Sequence, residues 1–300
     1  MGKETLIMEV KYLDRTEIDR KAWNECVKSG SLNWVYAYFE YLDGVCYEQW
    51  GALVAFEGTK YAGVFPLPFR KKWGIYYIYQ PYFCQQLGVF GNFEILQNHG
   101  FNTSEFLKLI PRKFLRVHLA VHSFCGNLEN IPRRPNYVIP AGFTPDDFNK
   151  DARKNLKSLE GLVYRETSDL WKVLEIYDTA WGRENMFTWA NTYEGFEQAL
   201  QKLSPASYYA FNAIKNDQVI GAAIFLISGD RIHYVCGAPT SEGREIGIIH
   251  GIINHVCEKY TSHKIDLEGS SIPTVAQFYK KFNPMEEHFF RIEQNFRMWR

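Results

Sequence analysis

Apolar and polar positions alternate over residues 6–13 (LIMEVKYL), which predicts a first strand. Residues 14–27 switch to helical spacing, with Ile18, Ala22, Trp23 and Cys26 on one stripe and Thr16 as the cap. Residues 33–42 are too aromatic for a solvated helix, so Trp34, Tyr36 and Tyr38 read as core, with a ligand-lining role as the alternative. Two strands joined at Gly58 follow, residues 50–57 and 61–69. Pro66 and Pro68 place the second at an edge or a bulge, because proline gives no N–H to a ladder. Arg70-Lys71-Lys72 reads as a solvated basic turn, an anion contact being the alternative. Residues 73–79 predict another strand, and Gln85-Gln86 is a polar pair in an aromatic segment that turns at Gly88. A helix (103–109) and a strand (114–122) complete this half.

A Pro/Arg linker, residues 130–136, leads to a short apolar run and then to a helix capped by Thr144, with Pro145 at its first position. Ser168 caps a second, amphipathic helix bearing Leu170, Val173, Leu174, Tyr177 and Trp181 on one side. Residues 208–214 and 219–227 form a hairpin, followed by a strand (231–236), a helix (246–260) and a closing strand (263–268). Laid over the first half at one constant offset, Gly63 meets Gly221, Tyr76 meets Tyr234 and Pro81 meets Pro239. Both halves thus read as hairpin, strand, helix, strand. The expectation is an α+β chain of two units, residues 1–135 and 136–300, each a mixed twisted sheet flanked by helices.

Composition narrows the class. Apolar residues make up 46% and aromatics 16%, which gives a globular chain. Lys+Arg and Asp+Glu stand at 34 each, and this zero net charge counts against nucleic-acid binding. The six cysteines are scattered, with no pair at metal spacing, and read as buried thiols of a cytoplasmic protein. His250 and His255 are too far apart on one helix for pairing at i, i+4, so no metal site is expected, and with no Walker loop or dinucleotide fingerprint no tightly bound cofactor is expected either. No apolar run approaches the roughly 20 residues that span a bilayer.

The chemistry concentrates in residues 263–284, HKIDLEGSSIPTVAQFYKKFNP. Alternation puts Ile265 and Leu267 on a core face, and Asp266 and Glu268 on the other. Gly269-Ser270-Ser271 breaks the strand before a short helix, so a carboxylate stands beside a new helix N-terminus. The string D-L-E-G-S followed by F-Y-K-K-F-N resembles the end of Fem-like proteins, which are tandem GNAT-fold transferases. It departs from them in two places: Tyr279 stands where the family often has Lys, with Lys280 one place late, and Asn283 replaces a Gly. The run Arg153-Lys154-Asn155-Leu156 is similar to a helix of the same family.

The resemblance implies two GNAT-like domains in tandem and transfer of an acyl or aminoacyl group to an amine acceptor held between the halves. Acyl-CoA is the implied co-substrate. Glu268 takes the amine proton, Arg183 orients an acceptor carboxylate, and Lys280 or Tyr279 stabilises the oxyanion. Tyr36, Gln85, Gln86, Trp181, Tyr234, Ser270 and Tyr279 are the candidate substrate-binding residues. Arg244 and Gly247 match part of the coenzyme A loop, with Ile249 in place of its second small residue. Two alternatives stay open: an aminoacyl-tRNA donor for a peptidoglycan-type acceptor, and a catalytically silent binding protein on the same scaffold.

Overall fold

The computed structural model describes residues 8–182, 192–269 and 272–295. In chain order the first elements are β1 (Met8–Asp14), α1 (Arg20–Ser29), α2 (Phe39–Val45), β2 (Trp50–Glu57), β3 (Lys60–Lys72) and β4 (Ile75–Ile78). Then come β5 (Phe90–Gly91), α3 (Phe93–Asn98), α4 (Thr103–Lys108) and β6 (Phe114–His122). The chain continues through β7 (Arg133–Ile139), α5 (Lys150–Lys157), β8 (Val163–Glu166), α6 (Leu170–Trp181) and α7 (Thr192–Lys202). It ends with β9 (Tyr208–Lys215), β10 (Gln218–Ser228), β11 (Arg231–Pro239), α8 (Ser241–Glu245), α9 (Ile248–Lys259), β12 (Lys264–Asp266), α10 (Pro273–Tyr279) and β13 (Met285–Asn295).

These elements form two compact units: residues 1–134 with 288–300, and residues 135–287. In the first, the strand order is β1-β2-β3-β4-β6-β13, with β5 added to β3. In the second it is β8-β9-β10-β11-β12-β7. Each order has one parallel pair, β4 with β6 and β11 with β12, and the other neighbours are antiparallel. The two glycines aligned in the sequence share a local feature. β3 carries an extra residue at Ala62 and β10 one at Ile220, each just before the matched glycines Gly63 and Gly221. A Cβ on Gly63 would sit 2.7 Å from Leu96 of α3, and one on Gly221 3.1 Å from Ile248 of α9. At both places the bare glycine lets a helix settle on the strand.

Several expected elements shift. The first helix starts at Arg20, because the Asp19 side chain accepts from Ala22 N–H, whereas Thr16 sits in a separate 3-10 turn. Thr144 caps such a turn too, and α5 takes its own cap from Asn149, as α6 does from Asp169. Arg70, Lys71 and Lys72 belong to β3, and the turn lies at Trp73-Gly74. Pro66 and Pro68 do lie where β3 is locally an edge: β5 pairs only Gly63 and Val64, and β4 only Phe69 to Lys72. α3, β8, α7 and β13 carry no expected element, although Phe290 and Ile292 of β13 are buried and alternate with exposed Arg291 and Glu293.

In the first unit His122 is fully buried among the rings of Trp34, Phe90, Phe93 and Phe124. Its Nε2 lies 2.8 Å from the Val89 carbonyl, so Nε2–H is the donor and the neutral ring is the one held. Burial pushes its pKa down to about 4, a trend the Val89 contact only partly opposes. The unfolded chain titrates near 6.5 and so binds the proton first as pH falls. Stability from this residue is therefore full above about pH 6.5 and drains down to about pH 4, in total about 3 kcal/mol. Urea unfolding at pH 7.5, 6 and 5 checks this. His122→Phe should flatten the pH dependence of the midpoint relative to the parent, and an equally steep dependence in the variant contradicts it.

Among the described residues, no helix is long and apolar enough to cross a membrane, and no group of three His, Cys, Asp or Glu could hold a metal ion.

Candidate functional site

The second unit carries a wedge in its sheet. β11 and β12 run parallel and pair only over Arg231, Ile232 and His233 against Lys264, Ile265 and Asp266. β12 then stops while β11 continues to Pro239, paired on its other side with β10. β11 also carries an extra residue at Val235, between the partners of Phe225 and Ile224. Such a bulge turns backbone groups out of the ladder. The open side of β11 from Tyr234 onward is thus a slot bounded by the chain leaving β12.

The base of the wedge is fixed by a buried ion cluster. Asp266 is 1% exposed and accepts from Arg231 Nη1 at 2.7 Å and from Asn136 Nδ2 at 3.0 Å. Arg231 also makes a two-pronged contact with Glu287, at 2.9 and 2.8 Å. The oxygen that takes Asn136, Oδ1, also accepts from Glu268 N–H at 2.9 Å. Asp266 is therefore a structural anion rather than a partner of Glu268 on one strand face.

Glu268 lies past the strand end in the left-handed region, φ 64°. Its carbonyl accepts from Tyr137 N–H at 3.4 Å, and Leu267 N–H donates back to the Tyr137 carbonyl at 2.8 Å. A non-glycine residue in this conformation costs about 1–2 kcal/mol. The cost is borne where a carboxylate is set at the mouth of the slot. Tyr279 feels its charge, and Tyr234 stands next to Tyr279. Burial pushes the Tyr279 hydroxyl well above its ordinary range, with the negative charges of Glu268 and Asp266 adding to the effect. Tyr234 is raised in the same way by burial, then by Tyr279 and Cys236. Both hydroxyls stay protonated at neutral pH and act as donors. The Tyr279 ring stands 6.1 Å from Tyr137, and exposed Lys280 holds its Nζ 5.9 Å over that same ring.

Gly237 joins this corner to the next. A Cβ there would lie 2.1 Å from the Tyr234 hydroxyl oxygen, so the tyrosine lies directly over its backbone. Its carbonyl accepts from Trp181 Nε1 at 3.1 Å. Arg244 stacks 4.9 Å over the Trp181 ring and donates to the Ala180 carbonyl at 3.3 Å. A cleft of about 750 Å³ opens here, lined by Glu175, Thr179, Pro239, Ser241 and Arg244 among others. Gly247 has φ 71° and starts α9; His250 N–H donates to the Gly247 carbonyl at 3.0 Å, and the N–H groups of Ile248 and Ile249 before it lie ahead of the first helical bond. His250 Nδ1 lies 3.1 Å from the Gly247 carbonyl, and its Nε2 3.4 Å from Asn155 Nδ2. Burial, helped by Lys281, lowers its pKa against the Gly247 contact and Asp151, so the neutral ring braces the Gly247 turn.

Of the expected site residues, Glu268, Tyr279, Tyr234 and Lys280 converge on the wedge, and Trp181, Arg244 and Gly247 border the adjacent cleft and turn. Tyr36, Gln85 and Gln86 belong to the first unit. Tyr36 is buried in its core 5.8 Å from Tyr41, whose hydroxyl donates to the Phe83 carbonyl. Gln86 is buried and donates to Gln85 Oε1 at 3.2 Å. Arg183 and Ser270 lie outside the described residues. Tyr137, Gly237, His250 and the role of Asn155 carried no expectation. Only Asn155 had a sequence signal, through its place in the basic run of α5.

No family model matches the chain, and no curated protein matches it. Solved structures do. The structure of FemX is similar with a TM-score of 0.62 at 12% identity, covering 94% of this chain and 97% of that one. L-PGS from Bacillus licheniformis gives a TM-score of 0.57 at 11% identity, with 93% and 92% covered. The C-terminal domain of a putative lysylphosphatidylglycerol synthetase from Agrobacterium fabrum gives 0.56 at 11%, with 94% and 93% covered. At such identities the likeness is one of fold. The chain shares the fold of these three structures over nearly its whole length.

Proposed function

We propose that the chain is an N-acyltransferase whose second unit takes an activated acyl donor, acyl-CoA, into the β11–β12 wedge and delivers the acyl group to an amine. The observation that carries this reading is the opening of that parallel pair beside Glu268 and two protonated tyrosine hydroxyls. An extended thioester lying along β11 would run where β12 no longer pairs with that strand, much as an added strand would. The amine nitrogen attacks the carbonyl carbon and forms the C–N bond. Glu268 accepts the amine proton, directly or through water. The oxyanion is met by Lys280 or by a hydroxyl donor. As the C–S bond breaks, Tyr279 or Tyr234 protonates the departing thiolate, and Glu268 returns its proton to the tyrosinate through solvent. Arg183 in this reading orients an acceptor carboxylate, and the two GNAT-like domains in tandem share the work.

The α9 start at Gly247 supports a donor diphosphate, because its first-turn N–H groups suit an anion. Arg244 is already engaged by Trp181, so it serves the cleft wall rather than the diphosphate. The second reading, an aminoacyl-tRNA donor, keeps the same wedge but has the zero net charge against it.

A melting screen against coenzyme A, acetyl-CoA, longer acyl-CoAs and tRNA tests the proposal. A ligand that binds only the folded state at about 100 times its Kd adds about 2.7 kcal/mol. That is a rise of several degrees, expected for an acyl-CoA and not for tRNA. A shift with tRNA alone, or with no donor, removes the acyl-CoA reading.

A further inference from the structure

We infer that the β3–β4 hairpin tip of the first unit is a docking site for anionic phospholipid membrane surfaces, a role beyond the proposed transfer reaction and independent of it. Trp73 at the tip is 90% exposed, whereas the other large aromatics among the described residues are mostly covered. It is held out by the turn itself, with φ 51° at Trp73 and 78° at Gly74. Ile75 and Leu115 are each 46% exposed beside it. Leu115 is there for a structural reason: it is the extra residue in the β4–β6 pairing, between Phe114 and Arg116, and so lies outside the ladder. Lys72, Trp73, Ile75, Tyr77, Leu115 and Arg116, with Asn295, line a cleft of about 660 Å³ at this end of the sheet.

Charge identifies the occupant. Residues 70–77 and 112–118, which form the tip and the adjoining end of β6, hold six cations and no carboxylate of their own, in a chain that is neutral overall; one of the six, Lys113, is paired with Asp14 of β1 at 3.3 Å, which leaves five. A tryptophan with aliphatic neighbours and a lysine rim suits the headgroup level of a bilayer. Basic residues near an anionic leaflet add attraction that salt screens. The same cations suit nucleic-acid phosphates, but single-stranded partners stack bases on several aromatic faces in a row. Here Lys71 Nζ lies 5.0 Å over Tyr76 and Arg70 4.2 Å over Tyr79, which leaves Trp73 as the one widely exposed ring at the tip. Ile75 and Leu115 also offer a base nothing to stack on.

The test is flotation of the full chain with vesicles of phosphatidylcholine alone or mixed with phosphatidylglycerol. Binding is expected to the mixed vesicles only and to fall as salt rises. Trp73→Ser and the pair Lys71→Glu, Lys72→Glu should each weaken it by about tenfold or more, with melting temperatures unchanged because the tip is exposed. Trp73→Cys carrying a polarity-sensitive fluorophore should shift its emission to the blue on mixed vesicles, the six native cysteines being buried. No binding to mixed vesicles, or binding that both variants retain in full, overturns the inference. So does retention of an RNA probe that the variants lose while vesicles are ignored, which assigns the patch to nucleic acid instead.

Discussion

Asp266→Ala is expected to destabilise the protein by about 3–5 kcal/mol, the cost of breaking a buried ion pair from one side. Arg231 would keep its charge in a buried site and lose the carboxylate at 2.7 Å. Glu287 still faces it, and this places the loss toward the lower end of that range. Asn136 Nδ2 and Glu268 N–H would lose their acceptor at the same time. Glu287→Gln should cost much less, because its side chain is a quarter exposed and water can replace what is lost. Urea unfolding of both variants beside the parent measures the difference. A loss below about 1 kcal/mol for Asp266→Ala would mean that the cluster is not the fixed base of the wedge.

That cluster also shows where sequence patterns stop. Alternation along residues 264–268 put Asp266 and Glu268 on one face and made them equivalent. The structure makes them opposites, because Arg231 and His233 come alongside from the parallel neighbour β11 and Glu287 from the start of β13. A period-two pattern reports which side of a strand a residue is on, not what the next strand presents to it. The hairpins were legible for the same reason: β2 with β3 and β9 with β10 are local pairings, with turn residues at Gly58 and Asn216-Asp217. β8 is a four-residue strand with too short a pattern to assert itself. The paired bulges at Ala62 and Ile220 lay hidden behind the legible glycines Gly63 and Gly221. Of the candidate site, Glu268, Tyr279 and Lys280 were visible through a run of residues close together in sequence. Gly237 and Tyr137 were not, since each matters only through a side chain or backbone from a distant segment.

Glu268→Gln is expected to lower kcat/KM by about 100-fold or more, the range a positioned proton acceptor supplies. Melting should stay unchanged, because the amide keeps the shape and the backbone contacts remain: Glu268 N–H to Asp266, and Tyr137 N–H to the Glu268 carbonyl. The readout is thiol release from whichever acyl-CoA raises the melting temperature, with an amine present. Glu268→Gly separates chemistry from strain. Glycine adopts φ 64° freely, so this variant sheds most of the roughly 1–2 kcal/mol held in the turn and gives back part of it as chain entropy. It should therefore be at least as stable as the parent and yet as inactive as the glutamine variant. A residue kept for packing would show the reverse, with lost stability and activity that follows the folded fraction. Full turnover in either variant would remove Glu268 from the reaction and leave its left-handed backbone without a chemical reason.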